Sequence, residues 1–340
     1  MVMATNTKVE SEVRLPDAPR VAGLRFRRFD MDRDVAPLAG LIVEADLADL
    51  DNYLPSVDDL RNELEHQSGP FDPARDMLVA EVDGKLVGAT IRSARVRAGV
   101  VQHEIDGWVR PEKRRLGIGR ALLHWTEARS RQAADEWAGS EPHAVTRWVS
   151  DTQVGAVALV KAEGYRQVRY GFMMVRTLSD PIPDAPLPDG LEIRPVVEAD
   201  HRRIWDADTE AFRDHWDAGE RTEEDFVGWF STPDIDTSMW RVAWDGDEVA
   251  GSVMSMIFAE ENERLGVRRG WLEHISVRRP WRRRGLAAAL IADSLRELRA
   301  RGLDEAALGV DAENLSGALR LYESLGFRRY RTGIAFRKPL

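Results

Sequence analysis

Two short turns concentrate arginine and glycine in a way that suits an anion. Arg114-Arg115-Leu116-Gly117-Ile118-Gly119 follows Val109-Arg110-Pro111, and Arg282-Arg283-Arg284-Gly285-Leu286-Ala287 follows Val277-Arg278-Arg279-Pro280. In each case the pattern reads as a strand ending at the valine, a basic turn, and a helix starting just past the glycine. Free amide groups at a helix N-terminus point outward with the positive end of the helix dipole, and glycine lets a phosphate approach the backbone. A pyrophosphate fits such a turn. Neither turn has the Gly-Lys-Ser/Thr ending that sets a lysine on phosphates and a hydroxyl on magnesium, and neither has the three glycines of the dinucleotide fingerprint. A single turn of this kind reads equally well as a solvated helix start, but its recurrence at the same place in a repeat favours a ligand.

That repeat defines the elements around the turns. A chain of 340 residues exceeds what one core usually supports, so two domains of about 150 to 170 residues are expected. Ser179 to Gly190 holds four prolines in twelve residues, which forbids a continued helix or central strand and marks a linker. Across it, Gly23-Leu24-Arg25-Phe26-Arg27 matches Gly190-Leu191-Glu192-Ile193-Arg194. The Asp83-Gly84 hairpin matches that at Asp245-Gly246, the two basic turns match each other, and Gly164-Tyr165 matches Gly326-Phe327, all at offsets of 162 to 168. Each half reads as strand, helical region, hairpin, strand, glycine turn, helix, strand, helix, strand, which predicts a mixed α/β sheet. Leu286, Leu290, Leu295 and Leu298 recur near helical spacing after the second turn. The expected organisation is a flexible N-terminus over 1–20, a first domain over 21–178, a linker over 179–190 and a second domain over 191–340.

Arg114-x-x-Gly117-x-Gly119 and Arg282-x-x-Gly285-x-Ala287, each between a Val-containing strand and a helix, resemble the acyl-CoA pyrophosphate loop of the GNAT superfamily of N-acyltransferases. The stretch from Asn314 through Tyr322 to Phe327 is similar to the late helix and following strand of that family. The resemblance covers nearly the whole chain as two copies. It implies two tandem GNAT-like domains, each a mixed, mostly antiparallel, splayed sheet flanked by helices. It also implies acetyl-CoA as co-substrate and acetyl transfer to the primary amine of a small molecule in a ternary complex, with a cysteinyl glycoside as an alternative acceptor. Cofactor-binding positions carried over are Val277, Arg282, Arg283, Arg284, Gly285, Leu286, Ala287 and Asn314, with Val109, Arg114, Arg115, Gly117, Ile118 and Gly119 in the first half. The valines match the strand position whose backbone NH binds the thioester carbonyl, and Tyr322 matches the tyrosine that protonates the departing thiolate.

Amide formation also needs a base. Glu273 lies four residues before Val277, an even separation that sets both side chains on one face of a strand. His274 points to the other face unless a bulge intervenes. The first half departs from this pattern: Val160 stands at the place of Tyr322, Thr152 at that of Asn314 and Ile105 at that of Glu273. It is therefore expected to be catalytically degenerate, with His103 and Asp106 as a different possible base. For the acceptor, the aromatic-rich region from Ile204 to Phe230 reads chiefly as core, yet Asp214, His215 and Trp216 place polar groups beside aromatics, and Asp214 or Glu210 suits a cationic amine.

Composition narrows the remainder. The net charge of −10 argues against nonspecific nucleic-acid or anionic-membrane binding. There is no cysteine, hence no disulfide framework or thiolate nucleophile, and the seven histidines show no paired metal-ligand spacing. No metal is expected. Residues 1–20 lack the apolar run of a signal peptide, and no apolar stretch approaches the roughly 20 residues needed to span a bilayer. A cytoplasmic monomer or homodimer acting on a small amine is the resulting expectation.

Overall fold

The computed structural model describes residues 12–67, 69–215, 218–233, 235–313 and 317–340. Contacts divide the chain into two compact units, the first comprising the chain up to Arg95, Val100–Arg147 and Lys338–Leu340, the second Val96–Gly99 and Trp148–Arg337.

In the first unit β1 (Leu24–Arg28) precedes α1 (Met31–Ala48), α2 (Val57–Glu65) and the one-turn α3 (Pro73–Asp76). Then come β2 (Met77–Val82), β3 (Lys85–Arg97), β4 (Val100–Val109), α4 (Ile118–Asp135) and β5 (His143–Ser150). The strands lie in the order β1-β2-β3-β4-β5, with β4 and β5 parallel. Asp30 caps α1 by accepting from the NH groups of Asp32 and Arg33, and Ser56 with Asp59 forms a capping box on α2. Val35, Leu38 and Ile42 recur at helical spacing and bury against Met77 and Val79, while Leu78, Ala80 and Val82 pack with Ile118 and Leu122 of α4. A strand apolar on both faces is what a sheet covered by helices on both sides requires.

The second unit contains α5 (Val154–Ala162), β6 (Arg166–Thr177), β7 (Glu192–Arg194), α6 (His201–Phe212), α7 (Glu223–Phe230), β8 (Arg241–Asp245) and β9 (Glu248–Met256). It continues through α8 (Ala259–Leu265), β10 (Arg269–Val277), α9 (Leu286–Ala300), β11 (Glu305–Asp311), α10 (Ala318–Ser324) and β12 (Arg328–Pro339). Strand order is β12-β6-β11-β10-β9-β8-β7. Leu286, Leu290, Leu295 and Leu298 form the inner stripe of α9 against Leu272 and Leu308, while Ile204, Trp240, Val242 and Met254 build the opposite face. Among the described residues no helix is long and apolar enough to cross a membrane.

Two expectations change here. The compact units part at Arg147/Trp148 instead of in the proline-rich segment, because β6 lies between β11 and β12, antiparallel to both. β11 parts from β10 along most of its length, so β6 supplies the strand that satisfies its other edge. Residues 12–20, read as flexible, are held: Glu12 bridges to Arg27, Val13 and Leu15 pack on the core, and Asp17 pairs with His124. Residues 1–11 lie outside the described residues.

Candidate active site

β10 and β11 are parallel but pair only at Arg269↔Glu305, Gly270↔Ala306 and Trp271↔Ala307. Beyond Trp271 they separate, although β10 stays paired to β9 as far as Val277↔Gly251. One edge of β10 from Leu272 to Val277 therefore offers peptide groups to an opening, the place where an NH can receive a developing oxyanion. A β-bulge interrupts the β9–β10 register between Leu272 and His274, with Leu272 opposite Ser255 and His274 opposite Met254. Glu273 is the extra residue. The bulge lets Leu272 and Ile275, three residues apart, both pack toward the α9 core, and bulges commonly re-aim side chains at active sites.

Glu273 is exposed to solvent, while desolvation by the protein packed around it pushes its carboxyl above the ordinary value and the His274 charge offsets the shift. His274 Nδ1 hydrogen-bonds Asp208 Oδ2 at 2.8 Å, and its ring stacks on Trp229 with centroids 4.6 Å apart. Asp208 is fully buried on α6 and also accepts from Arg221 Nη1 at 2.7 Å. Burial pushes its carboxyl up, but the charges and hydrogen bonds of His274 and Arg221 outweigh that and hold it below the usual range. Sequence reading missed Asp208. Its signal was a carboxylate in phase with Ile204 on the apolar face of a helix.

Tyr322, on α10, is buried edge-on against Phe327, and burial pushes its phenol up to about 12. It stays protonated at neutral pH, as a proton donor to a thiolate must. Tyr322→Phe should lower turnover roughly 10²-fold with acetyl-CoA affinity unchanged, measured by steady-state kinetics beside calorimetry.

At the basic turn, Arg283 and Gly285 adopt φ of +61° and +88°, and α9 starts without a side-chain cap. A Cβ built on Gly285 meets nothing within 4 Å, and no side chain caps the first NH groups of α9. Arg283 and Arg284 are exposed there, Leu286 anchors the helix in the core and Ala287 is half-buried. Arg282, expected on phosphate, is spent otherwise. Its guanidinium donates to the Val277 carbonyl (2.8 Å), the Ala211 carbonyl (3.0 Å) and Asp214 (2.6 Å). Asp214, expected at the acceptor, is thereby committed to Arg279 and Arg282, whose hydrogen bonds hold its carboxyl well below the usual range, and Glu210 is taken by Arg278. Arg282→Ala should cost about 1–2 kcal/mol of stability by denaturant unfolding, whereas Arg283→Ala should leave stability intact and weaken acetyl-CoA binding. His215 lies tilted against Phe212. Asn314 and Trp216 lie outside the described residues.

The first unit repeats the frame but closes it. β4 and β5 part after Glu104↔Thr146, yet Arg147 reaches over and donates to the Gly107 carbonyl at 3.0 Å. The matching position in the second unit is Gly309, where a Cβ would meet nothing within 4 Å. Arg114 repeats the clamp of Arg282, bonding the carbonyls of Val109 and Ala45 and the carboxylate of Asp49. Gly117, with Arg115 in the left-handed region before it and Ile118 and Gly119 opening α4, is overlaid by Pro19, whose Cβ lies 3.1 Å from a Cβ built on Gly117. The residues expected to hold a second acetyl-CoA thus do not form an open seat. Ile105 and Val160 are buried in the places of Glu273 and Tyr322. His103 is fully buried between Arg92 and His143, and desolvation and the Arg92 charge push it down to about 3, which removes it as a base.

A family model described as Acetyltransferase (GNAT) family matches residues 44–165 and 201–327. The chain belongs to this family. It is an acyl-CoA-dependent N-acetyltransferase with acetyl-CoA as co-substrate, and both copies of its splayed frame fall within the matched regions. Mycothiol acetyltransferase of Geodermatophilus obscurus is 30% identical, the match covering 91% of this chain and 97% of that protein. The Salinispora arenicola protein of the same name is 32% identical over 95% and 98%. Among solved structures, a GCN5-related N-acetyltransferase from Sphaerobacter thermophilus superposes with a TM-score of 0.71 at 26% identity, over 96% of this chain and 97% of that one. A tandem GNAT protein from the clavulanic acid biosynthesis pathway shares the fold, with a TM-score of 0.66 at 18% identity over 93% and 98%.

Proposed function

We propose that the second unit is catalytic and acetylates the primary amine of a small molecule by direct attack within a ternary complex, the first unit being catalytically degenerate. The observation that carries this is the contrast between two copies of one frame. Only the second combines an uncovered glycine turn, an unbridged strand opening, a bulged carboxylate and a buried phenol. Arg283, Arg284 and the NH groups from Gly285 into α9 would hold the pyrophosphate, and the free edge of β10 ending at Val277 would receive the thioester carbonyl. Glu273 takes one proton from the ammonium group. The freed nitrogen attacks the carbonyl carbon, the C–S bond breaks as the C–N bond forms, and the thiolate takes the phenolic proton of Tyr322. The nitrogen's second proton goes to solvent or restores the phenol.

For the acceptor, the names of the relatives favour the amine of a cysteinyl glycoside, a mycothiol-synthase-like activity, since the matches span more than nine-tenths of this chain. The test is free-thiol release from acetyl-CoA with such a glycoside beside glucosamine and amino-acid derivatives. Selective release with the cysteinyl glycoside supports the reading, and release with other amines alone assigns a different small amine. Acetyl-CoA binding without release from any acceptor would support a non-catalytic coenzyme A module instead.

A further inference from the structure

His274, next to the bulge of β10, sends its side chain toward α6 and α7, where contacts on several sides fix the ring. Its Nδ1 meets Asp208 Oδ2 at 2.8 Å, Trp229 stacks on it with 4.6 Å between centroids and 22° between planes, and Phe212 lies tilted at 5.6 Å. Asp208 is itself immobilised: it is fully buried and accepts from Arg221 at the same oxygen, while the Arg221 guanidinium lies over the rings of Trp205 and Phe212. The other ring nitrogen is free. Among the described residues nothing hydrogen-bonds His274 Nε2, the side chain keeps 20% of its surface exposed, and Nε2 is not sealed from solvent. His274 stands on the parted stretch of β10, three residues beyond Trp271, the last to pair with β11, so the ring sits at the border of the opening.

The partners decide which hydrogen bond that nitrogen can make. Asp208 is held ionised and can only accept, so Nδ1 must carry the hydrogen. In the neutral ring Nε2 is then a lone pair, fixed in direction by the stack on Trp229. Arg221 and His274 share Oδ2, so the one carboxylate charge is already matched by a guanidinium, and the pair orients the imidazole instead of charging it. A cationic amine is drawn to the carboxylate of Glu273, whereas an uncharged lone pair near a guanidinium suits an uncharged donor.

We infer that His274 is a specificity-determining residue whose Nε2 accepts a hydrogen bond from a hydroxyl or amide N–H of the acceptor, in the tautomer and direction that Asp208 and Trp229 impose. Asp208 is its positioning residue. The assignment rests on the proposed catalysis by the second unit, and it divides the work there: His274 holds the acceptor while Glu273 takes the proton. An acceptor without such a donor leaves Nε2 unpaired on binding, which costs affinity.

The test is steady-state acetylation by the full chain at saturating acetyl-CoA and pH 8, with the cysteinyl glycoside, glucosamine and amino-acid derivatives each varied, for the parent, His274→Asn and His274→Gln. Asn keeps an N–H for Asp208 in place of Nδ1 but has nothing at Nε2, whereas Gln can bring an oxygen there. His274→Asn should raise the acceptor KM roughly tenfold with kcat and acetyl-CoA affinity near those of the parent, the pattern of a lost binding contact. His274→Gln should recover part of the loss. A rise shared by glucosamine assigns a hydroxyl as the donor, and one confined to amide-bearing acceptors assigns the amide N–H. In nitrogen NMR spectra of the histidine-labelled parent, the signals that vanish in His274→Asn should show Nδ1 protonated and Nε2 bare at pH 8. An unchanged KM, a fall in kcat alone, or a proton on Nε2 would overturn the assignment. A parent that acetylates none of these amines fails the proposed function itself, before any variant is compared, and takes this assignment with it.

Discussion

Gly285→Glu should remove measurable acetyl-CoA binding. The position has φ of +88° and caps α9, with nothing within 4 Å of a Cβ placed there, so the substitution strains the turn and sends a carboxylate into the seat of the pyrophosphate. Like charges brought together at a binding surface cost several kcal/mol, which at about 1.4 kcal/mol per decade is roughly a hundredfold or more in affinity. Gly117→Glu is the matched control: its φ of +91° makes the strain equal, but Pro19 already covers the turn. It should lower stability and leave acetyl-CoA binding at one site per chain. Calorimetry of parent and both variants decides it. Two sites in the parent, one lost in each variant, would show that Pro19 yields and that the first turn is used.

The parts of the fold that local sequence encodes were legible. Glycine punctuation marked the hairpins and turns, the leucine spacing marked α9, and the repeated Arg-x-x-Gly pattern led to a family whose splayed strands the structure contains. Pairings between distant residues were not legible. No local signal says that Arg166–Thr177 will lie between β11 and β12, because that choice is made by the unpaired edge of β11. Likewise the arginine count at the turn suggested phosphate ligands, while Arg282 answers to Asp214, 68 residues away in sequence, and to the carbonyl that ends α6. A cation beside a helix C-terminus and a free carbonyl has partners before any ligand arrives. Asp208 was hidden for the converse reason: a buried carboxylate looks like an error on an apolar helix face until its histidine and arginine are placed beside it.

Glu273→Gln should lower turnover by roughly 10²–10⁴-fold, the range for loss of a positioned general base, with acetyl-CoA affinity unchanged because the residue sits at the bulge of β10, away from the glycine turn. Its pH profile carries the sharper information. A base works deprotonated, so activity should rise with pH through the Glu273 titration, and burial sets that rise above the ordinary carboxylate value. In the Gln variant the acid limb should vanish, leaving a flat, low rate across the same interval. Asp208, held ionised by His274 and Arg221, keeps the neighbouring imidazole fixed against Trp229. Asp208→Asn should therefore shift the limb by altering the charge beside Glu273, where Glu273→Gln erases it. An acid limb that persists in Glu273→Gln and moves in Asp208→Asn would transfer the base from the glutamate to His274, with the bulge serving the histidine instead.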